Sequence, residues 1–454
     1  MKKNKYEIDM CNGTIMDKLI SFSVPLILSG ILQLLFNAVD IIVVGRFSGS
    51  QALAAVGSTT ALINIFTNLF IGISLGANVL AARFYAAQKD KEMSETVHTA
   101  IMLALISGVI MLFVGIFFAR GALELMGTPD DVIGQSTLYM RIYFAGMPFF
   151  MLYNYGAAIL RAVGDTKRPL LFLIVSGVVN ACLNLFLVIA FHLGVAGVAI
   201  ATVTAQGISC ALVLRCLQRS QASYQLRFRD LKIRGCYVRQ IFQVGLPAGI
   251  QSTVINFSNA LLQSSVNSFG SIAMAGYTAA NNLFGFLYVS TNSITQACMS
   301  FTSQNYGVGK WKRMDRVLFN CIILSVVVML TLGGGMYFFG PEVLKIYTTN
   351  PRVISCGMEV LTYTTLTYFL CGIMDLLPGA LRGMGYSSVP MILSIIGTVG
   401  TRIVWIFGIF PNHRSLDILF ISYPVSWMIT IVLQVICFYF VRRKVHARPG
   451  VSET

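Results

Sequence analysis

Between Gln240 and Gly309 the chain carries not one Asp, Glu, Lys or Arg. Soluble domains place charge on about a quarter of their residues, so a segment this long without any has no water to face. The rest of the sequence agrees. Of 454 residues, 56% are hydrophobic and only 11% charged. Too little charge is present to cover a water-exposed surface, which excludes a cytosolic enzyme, a secreted domain and a disordered chain. What remains is an integral membrane protein.

Crossing the hydrocarbon core takes about 20 apolar residues. Single spans are predicted in Leu19–Val39, Phe47–Ala82, Thr96–Ala119 and Ile142–Leu160, then in Val317–Pro341, Val360–Leu377, Val389–Phe410 and Ile418–Val441. Pro169–Leu214 and Gln240–Gly309 are each long enough for two. The expectation is an all-α membrane protein with twelve transmembrane helices. Placing both termini in the cytoplasm puts 26 Lys and Arg in inside loops, 5 in outside loops and 2, Arg141 and Arg402, within spans. That asymmetry fixes the orientation by the positive-inside rule. The net charge of +15 therefore belongs to cytoplasmic loops and not to a nucleic-acid face. The cysteines show no regular spacing, and Cys182, Cys210, Cys298, Cys321, Cys371 and Cys437 lie in apolar runs, where a thiol acts as a small hydrophobe. Neither they nor the four scattered histidines suggest a metal site, a cofactor site or a catalytic constellation.

The sequence repeats at an offset of about 221 residues. Leu160-Arg161-Ala162-Val163-Gly164 answers Leu381-Arg382-Gly383-Met384-Gly385, and Tyr85 to Lys89 answers Tyr306 to Lys310. Pro25 answers Pro247, Asn37 answers Asn259, and Phe47 answers Phe269. Each unit holds six spans, an even number, so the two are parallel repeats about an axis along the membrane normal. The predicted organisation is a cytoplasmic segment 1–16, an N-terminal lobe 17–216, a basic cytoplasmic linker 217–239, a C-terminal lobe 240–441 and a cytoplasmic tail 442–454. Two bundles able to rock about a central cleft form the architecture of a secondary transporter. No Gly-rich phosphate loop is present, so an ion gradient is the expected drive.

Ionisable residues inside a bilayer cost about 2.5–3.5 kcal/mol each, so each one needs a reason. Asp40 closes the apolar run of the first helix and is the candidate cation or proton site, against an interfacial residue at a helix end. Asn180 and Asn184 share one helix face at i, i+4, and Thr202 follows on the next helix. A carboxylate, two amides and a hydroxyl suit a small hard cation, and the amide N–H groups also suit an ionised carboxylate. The two asparagines serve equally as helix–helix glue. The repeat maps Asp40, Asn180, Asn184 and Thr202 onto Leu262, Thr401, Trp405 and Tyr423, so the cluster exists in one half only. Pro25 sits inside the first span as a static kink or a hinge. Asp375, which maps onto Asn154, gives a second polar site or a satisfied polar pair. Arg141 and Arg402 are expected in buried pairs or capping carbonyls. Gln251, Asn256, Asn259, Tyr277, Asn281, Asn282, Phe284, Tyr288 and Met299 are the candidate substrate cleft, against plain packing.

The Val24-Pro25 entry, Asp40 closing the first helix, LRAVGDTKRP at 160–169, SQNYGVGK at 303–310 and LRGMG at 381–385 resemble the multidrug and toxic compound extrusion (MATE) family, in particular its DinF-like and MepA-like bacterial groups. The resemblance covers residues 15–441. It implies two six-helix lobes in a V shape, a monomer in the bacterial inner membrane, and antiport of lipophilic organic cations against H⁺ or Na⁺ by alternating access. It also implies that Asp40, Asn180, Asn184 and Thr202 match the first-lobe cation site. The rival within the same superfold is a flippase for lipid-linked oligosaccharides or other anionic lipids. An anionic headgroup needs a cationic cavity, for which only Arg141 and Arg402 stand within spans.

Overall fold

The computed structural model describes residues 6–447 and contains no strand among them. Lys2, Lys3, Lys5 and Arg448, which entered the count of inside charges, lie outside the described residues. The helices run in order: α1 (Met16–Phe47), α2 (Ser50–Ala86), α3 (Asp90–Leu125), α4 (Asp130–Ala145), α5 (Met147–Ala162), α6 (Lys167–Leu185), α7 (Gly194–Gln218) and α8 (Gly235–Asn267). Next come α9 (Ser271–Gly307), α10 (Trp311–Phe338), α11 (Gly340–Leu344), α12 (Pro351–Thr365), α13 (Tyr368–Gly383), α14 (Ser388–Ser394), α15 (Thr401–Val404) and α16 (Leu416–His446). Wide π-helical turns extend α6 through Phe186–Ala190, join α14 to α15 at Ile395–Gly400 and extend α15 through Trp405–Ile409.

The ends of these helices are written in their sequences. Asp17 and Arg46 complement the two poles of α1, and Asp90 and Glu92 open α3. The Asn350 side chain caps α12 by accepting from Arg352 N at 3.0 Å, and Ser415 caps α16 by accepting from Ile418 N at 3.3 Å.

Among the described residues, eight helices are long and apolar enough to cross a membrane unaided, and the pair α12 and α13, bent by 45°, makes a ninth. α4 and α5, interrupted at Gly146, form another broken span. α8 and α9, at 33 and 37 residues, have ample length. They are less apolar because both are studded with Asn, Gln and Ser. Together these make the twelve-helix membrane fold.

Two compact units emerge. Unit 1 contains the residues up to Ile8 with Leu28–Gly249, and unit 2 contains Asp9–Ile27 with the chain from Ile250 onward. The division therefore cuts through α1 two residues after Pro25 and through α8 two residues after Pro247. Proline in a helix interior removes one backbone hydrogen bond and clashes with the preceding turn. The repeat-related prolines thus sit where each helix passes from one unit's packing to the other's. Segment 217–239 packs within unit 1: Tyr224 and Leu226 are buried, and the Tyr224 hydroxyl donates to Glu7 at 2.6 Å. The N-terminal segment packs as well. In unit 2, Asn305 Nδ2 donates to Met10 O at 3.1 Å and Lys310 Nζ to Cys11 O at 3.0 Å.

Within unit 1, Gly72 and Gly76 of α2 meet Gly245 and Gly249 of α8 so closely that a methyl group on any of them would strike backbone. Small residues at i, i+4 let helices approach where the hydrophobic effect offers little. The repeat also shows in the turns. Left-handed residues recur at Gly49 and Gly270, Gln88 and Gly309, and Gly164 and Gly385.

Candidate functional site

Asp40 is not at a helix end. α1 continues through Gly45 and Arg46 to Phe47, and Asp40 is 7% exposed within it. One turn earlier on the same face, the Phe36 ring lies on Gly177 of α6, filling the space a side chain would take. This seats α1 against α6 and brings Asp40 opposite the next turns of that helix, where Asn180 and Asn184 project. Asn180 Nδ2 donates to Asp40 Oδ1 at 3.0 Å, and Asn184 Nδ2 donates to the same oxygen. The Thr202 hydroxyl of α7 stands 3.3 Å from Asp40 Oδ2 and 3.0 Å from Val198 O, its single proton shared between the two acceptors.

The four residues singled out in the first repeat are thus brought together around one carboxylate. Both asparagines are buried, and the Oδ1 atom of each has no hydrogen-bond partner. A buried amide oxygen without a partner is costly. Two of them beside a carboxylate and a hydroxyl form a ready set of hard oxygen ligands. The π-helical turn that begins at Phe186, just past Asn184, is of a kind frequent at functional sites. At three of the four matching positions, all but Thr401, unit 2 is apolar or aromatic: Leu262 is buried in a cluster with Tyr277 and Phe420, and Trp405 spends its indole N–H on Ile418 O at 2.8 Å.

Unit 2 has its own feature, a cavity of about 370 Å³ enclosed by α8, α9, α12, α13, α16 and the irregular segment between α14 and α16. Of the cleft candidates, Gln251, Asn256, Asn259, Asn281, Phe284 and Tyr288 line it, as does Asp375. Tyr277, Asn282 and Met299 do not. Tyr277 is buried, with its hydroxyl 2.9 Å from that of Tyr423. Asn282 is exposed and Met299 is buried within α9. Asn154, paired with Asp375 by the repeat, belongs to unit 1, where its amide donates to Phe150 O at 2.8 Å. Arg141 is exposed on α4.

Two arginines face the cavity. Arg402 is 3% exposed, donates from Nη1 to Asn259 Oδ1 at 2.7 Å and from Nε to Ser426 Oγ at 3.4 Å, and lies over the Tyr423 ring at 4.7 Å. Arg382, assigned from the sequence to a cytoplasmic loop, is instead in the last turn of α13. It is 9% exposed and donates from Nη2 to Gln251 Oε1 at 2.6 Å. The signal that could have exposed it was its LRG context, which reads as a loop because two glycines come soon after.

A family profile described as MatE matches residues 25–186 and again 247–407. The chain belongs to the MatE family. The two MatE segments begin 222 residues apart and end 221 apart, the register of the internal repeat. The chain is 30% identical over 439 residues to Probable multidrug resistance protein YoeA of Bacillus subtilis (strain 168), with 93% of each chain covered. It is 20% identical to Multidrug export protein MepA of Staphylococcus aureus (strain NCTC 8325 / PS 47), over 83% of this chain and 84% of that one. A solved structure described as "Outward-facing conformation of a multidrug resistance MATE family transporter of the MOP superfamily" shares the fold. Its TM-score is 0.91 at 20% identity, covering 98% of this chain and 100% of the other. The protein is a multi-pass transmembrane transporter of the MatE type.

Proposed function

We propose that this MatE protein is an efflux antiporter that exports small amphipathic molecules, drugs among them, in exchange for H⁺ or Na⁺. One observation carries the reading. Asp40, buried in a span, is held by donors from two further helices, with two partnerless amide oxygens at its side. A buried acid of this kind marks an ion pathway by default. Loading a cation or a proton on Asp40 neutralises it and withdraws the acceptor on which Asn180, Asn184 and Thr202 converge. The amides then turn their oxygens toward the ion, or release the carboxyl. Pro25, fifteen residues upstream on the same helix, supplies the weak point at which α1 bends in response. The protein acts as a monomer in the plasma membrane with both termini in the cytoplasm, the orientation the Lys and Arg asymmetry supports.

The relatives' names support drugs as substrates, and the family resemblance favours lipophilic cations. A cation in the unit 2 cavity would have Asp375 as its one acidic contact, against two guanidinium groups. That balance of charge is a specific observation in favour of the alternative, an anionic lipid as substrate. The test is transport in proteoliposomes with a Na⁺ gradient and a pH gradient imposed separately. Uptake or release of a fluorescent substrate driven by one gradient and not by buffer alone is the expected result. Equal flux with no gradient of either ion overturns the antiport reading.

A further inference from the structure

The cavity of unit 2 is a charged site, and its charge has the wrong sign for an organic cation. Three of its lining residues are formally charged at neutral pH: Asp375, Arg382 and Arg402. Asp375 and Arg382 lie seven residues apart on one face of α13, about 10 Å along the axis, so the acid offsets one arginine and a single positive charge is left over. Among the described residues, neither arginine has a carboxylate within ion-pair distance. Each is fixed instead by a neutral amide from α8, Gln251 for Arg382 and Asn259 for Arg402. Those amides are eight residues apart, about 12 Å along the helix, so the two guanidinium groups are held at separate points of one wall.

Neutral partners position a guanidinium but do not balance its charge, and a buried unbalanced charge is expensive. Arg382 Nε also has no hydrogen-bond partner although the residue is nine-tenths buried. The arginine charge that Asp375 does not offset, beside an open cavity, calls for an anion that arrives from outside. The rest of the wall, with Phe284, Tyr368, Met374 and Trp427, is apolar and aromatic. We propose that this cavity binds a small amphipathic molecule through an acid group, a carboxylate, sulfonate or phosphate, placed on Arg402, the guanidinium that Asp375 does not offset, with Arg382 adding to the positive field of the wall and the apolar body against the aromatic residues. A zwitterion fits the same site with its amine toward Asp375. The proposal names the substrate class for the export reading above and rests on it only for what happens after binding.

The test is equilibrium binding to the full chain in nanodiscs, with no ion gradient, using two probes that share one body: 1-pyrenebutyrate and pyrenebutyltrimethylammonium. The native protein is expected to bind the acid at least tenfold more tightly than the ammonium. Arg402→Gln should cut that preference about tenfold, and Arg402→Lys, which keeps the charge, should restore most of it. Asp375→Asn should strengthen binding of the acid severalfold, which a purely structural role for that residue would not do. A native preference for the ammonium, or a preference that survives both Arg402→Gln and Arg382→Gln, overturns the proposal. Competition with dioctanoyl phosphatidate separates two sources of the acid group. Displacement of pyrenebutyrate supports a lipid headgroup, and its failure supports a free organic acid. Asp40→Asn, which leaves Asp375, Arg382 and Arg402 in place, should keep the preference for the acid over the ammonium, even where antiport coupling changes the affinity for both probes together. If that variant still pumps with ion coupling, the export reading fails while the binding preference stands. If the preference is reversed while coupling needs Asp40, the failure is of this proposal alone.

Discussion

The two units descend through the same landmarks and differ in what fills them. Prolines, left-handed turns and profile matches recur at a constant offset. Where unit 1 has Asp40, unit 2 has Leu262, and where unit 2 has Arg402, unit 1 has Ala181. Asn37 and Asn259 match across the repeat, yet only Asn259 holds a guanidinium. Residues that turn the chain have kept their chemistry in both copies, as has the Arg161 and Arg382 pair, while Asp40 and Arg402 each have an apolar counterpart in the other unit. A buried charge in one copy alone is therefore not packing, since the other copy packs without it. The largest expected effect tests this directly. Asp40→Asn should reduce ion-driven transport about a hundredfold or more, because an amide neither releases a proton nor supplies a charged ligand. Inserted protein and thermal stability should be close to native. Native flux under an imposed gradient would remove Asp40 from the mechanism.

The reciprocal substitution sharpens the comparison. Leu262→Asp puts an acid at the matching place in unit 2, inside an apolar cluster with Tyr277 and Phe420. It should destabilise by about 2.5–3.5 kcal/mol, read as a fall in thermal midpoint and in yield from the membrane. A variant as stable as the native protein would show that unit 2 already contains a hidden ligand set.

Within unit 1, Asn184→Ala removes one donor to the carboxylate. Hydrogen bonds to charged groups contribute about 1.5–3 kcal/mol, so the half-saturating ion concentration should shift about 10- to 150-fold. Gly177→Ala leaves all four polar residues in place but drives a methyl group into the Phe36 ring. It should impair coupling by separating α1 from α6, and Phe36→Leu in the same chain should recover part of it. If the double variant is no better than Gly177→Ala, the ring is not what seats Asp40.

The membrane fold was legible in the uncharged run from Gln240 to Gly309, because no soluble packing hides so much apolar surface. The i, i+4 asparagines pointed to the cluster at Asp40 because that spacing is a local pattern, and the one-sided repeat did so because a constant offset lets one half be read against the other. The end of α1 was misjudged because Gly45-Arg46 looks like a terminus, whereas the arginine complements the helix pole instead. The cleft was only partly legible. In α9, Asn281 faces the cavity and Asn282 does not. Polar and apolar residues are interspersed around α9, so its pattern gives no phase from which to tell them apart. Arg382 escaped because its burial depends on Gln251, which is 131 residues away in sequence.

The smallest expected effect concerns the turns that the two units share. Gln88 and Gly309 occupy the same left-handed position, with φ of 53° and 73°. In both, the next amide reaches back five residues, Lys89 N to Phe84 O and Lys310 N to Asn305 O, each at 3.0 Å. A side chain in that conformation costs about 1–2 kcal/mol, and glycine loses about 0.5–1 kcal/mol of that advantage through its freer unfolded chain. Gln88→Gly should therefore stabilise by a few tenths to about 1 kcal/mol, and Gly309→Gln should destabilise by a similar amount. Thermal unfolding in detergent reads both, with transport unchanged in the first. Shifts of the same sign would mean that the two turns carry different loads, and that the equivalence of the units ends at their backbone angles.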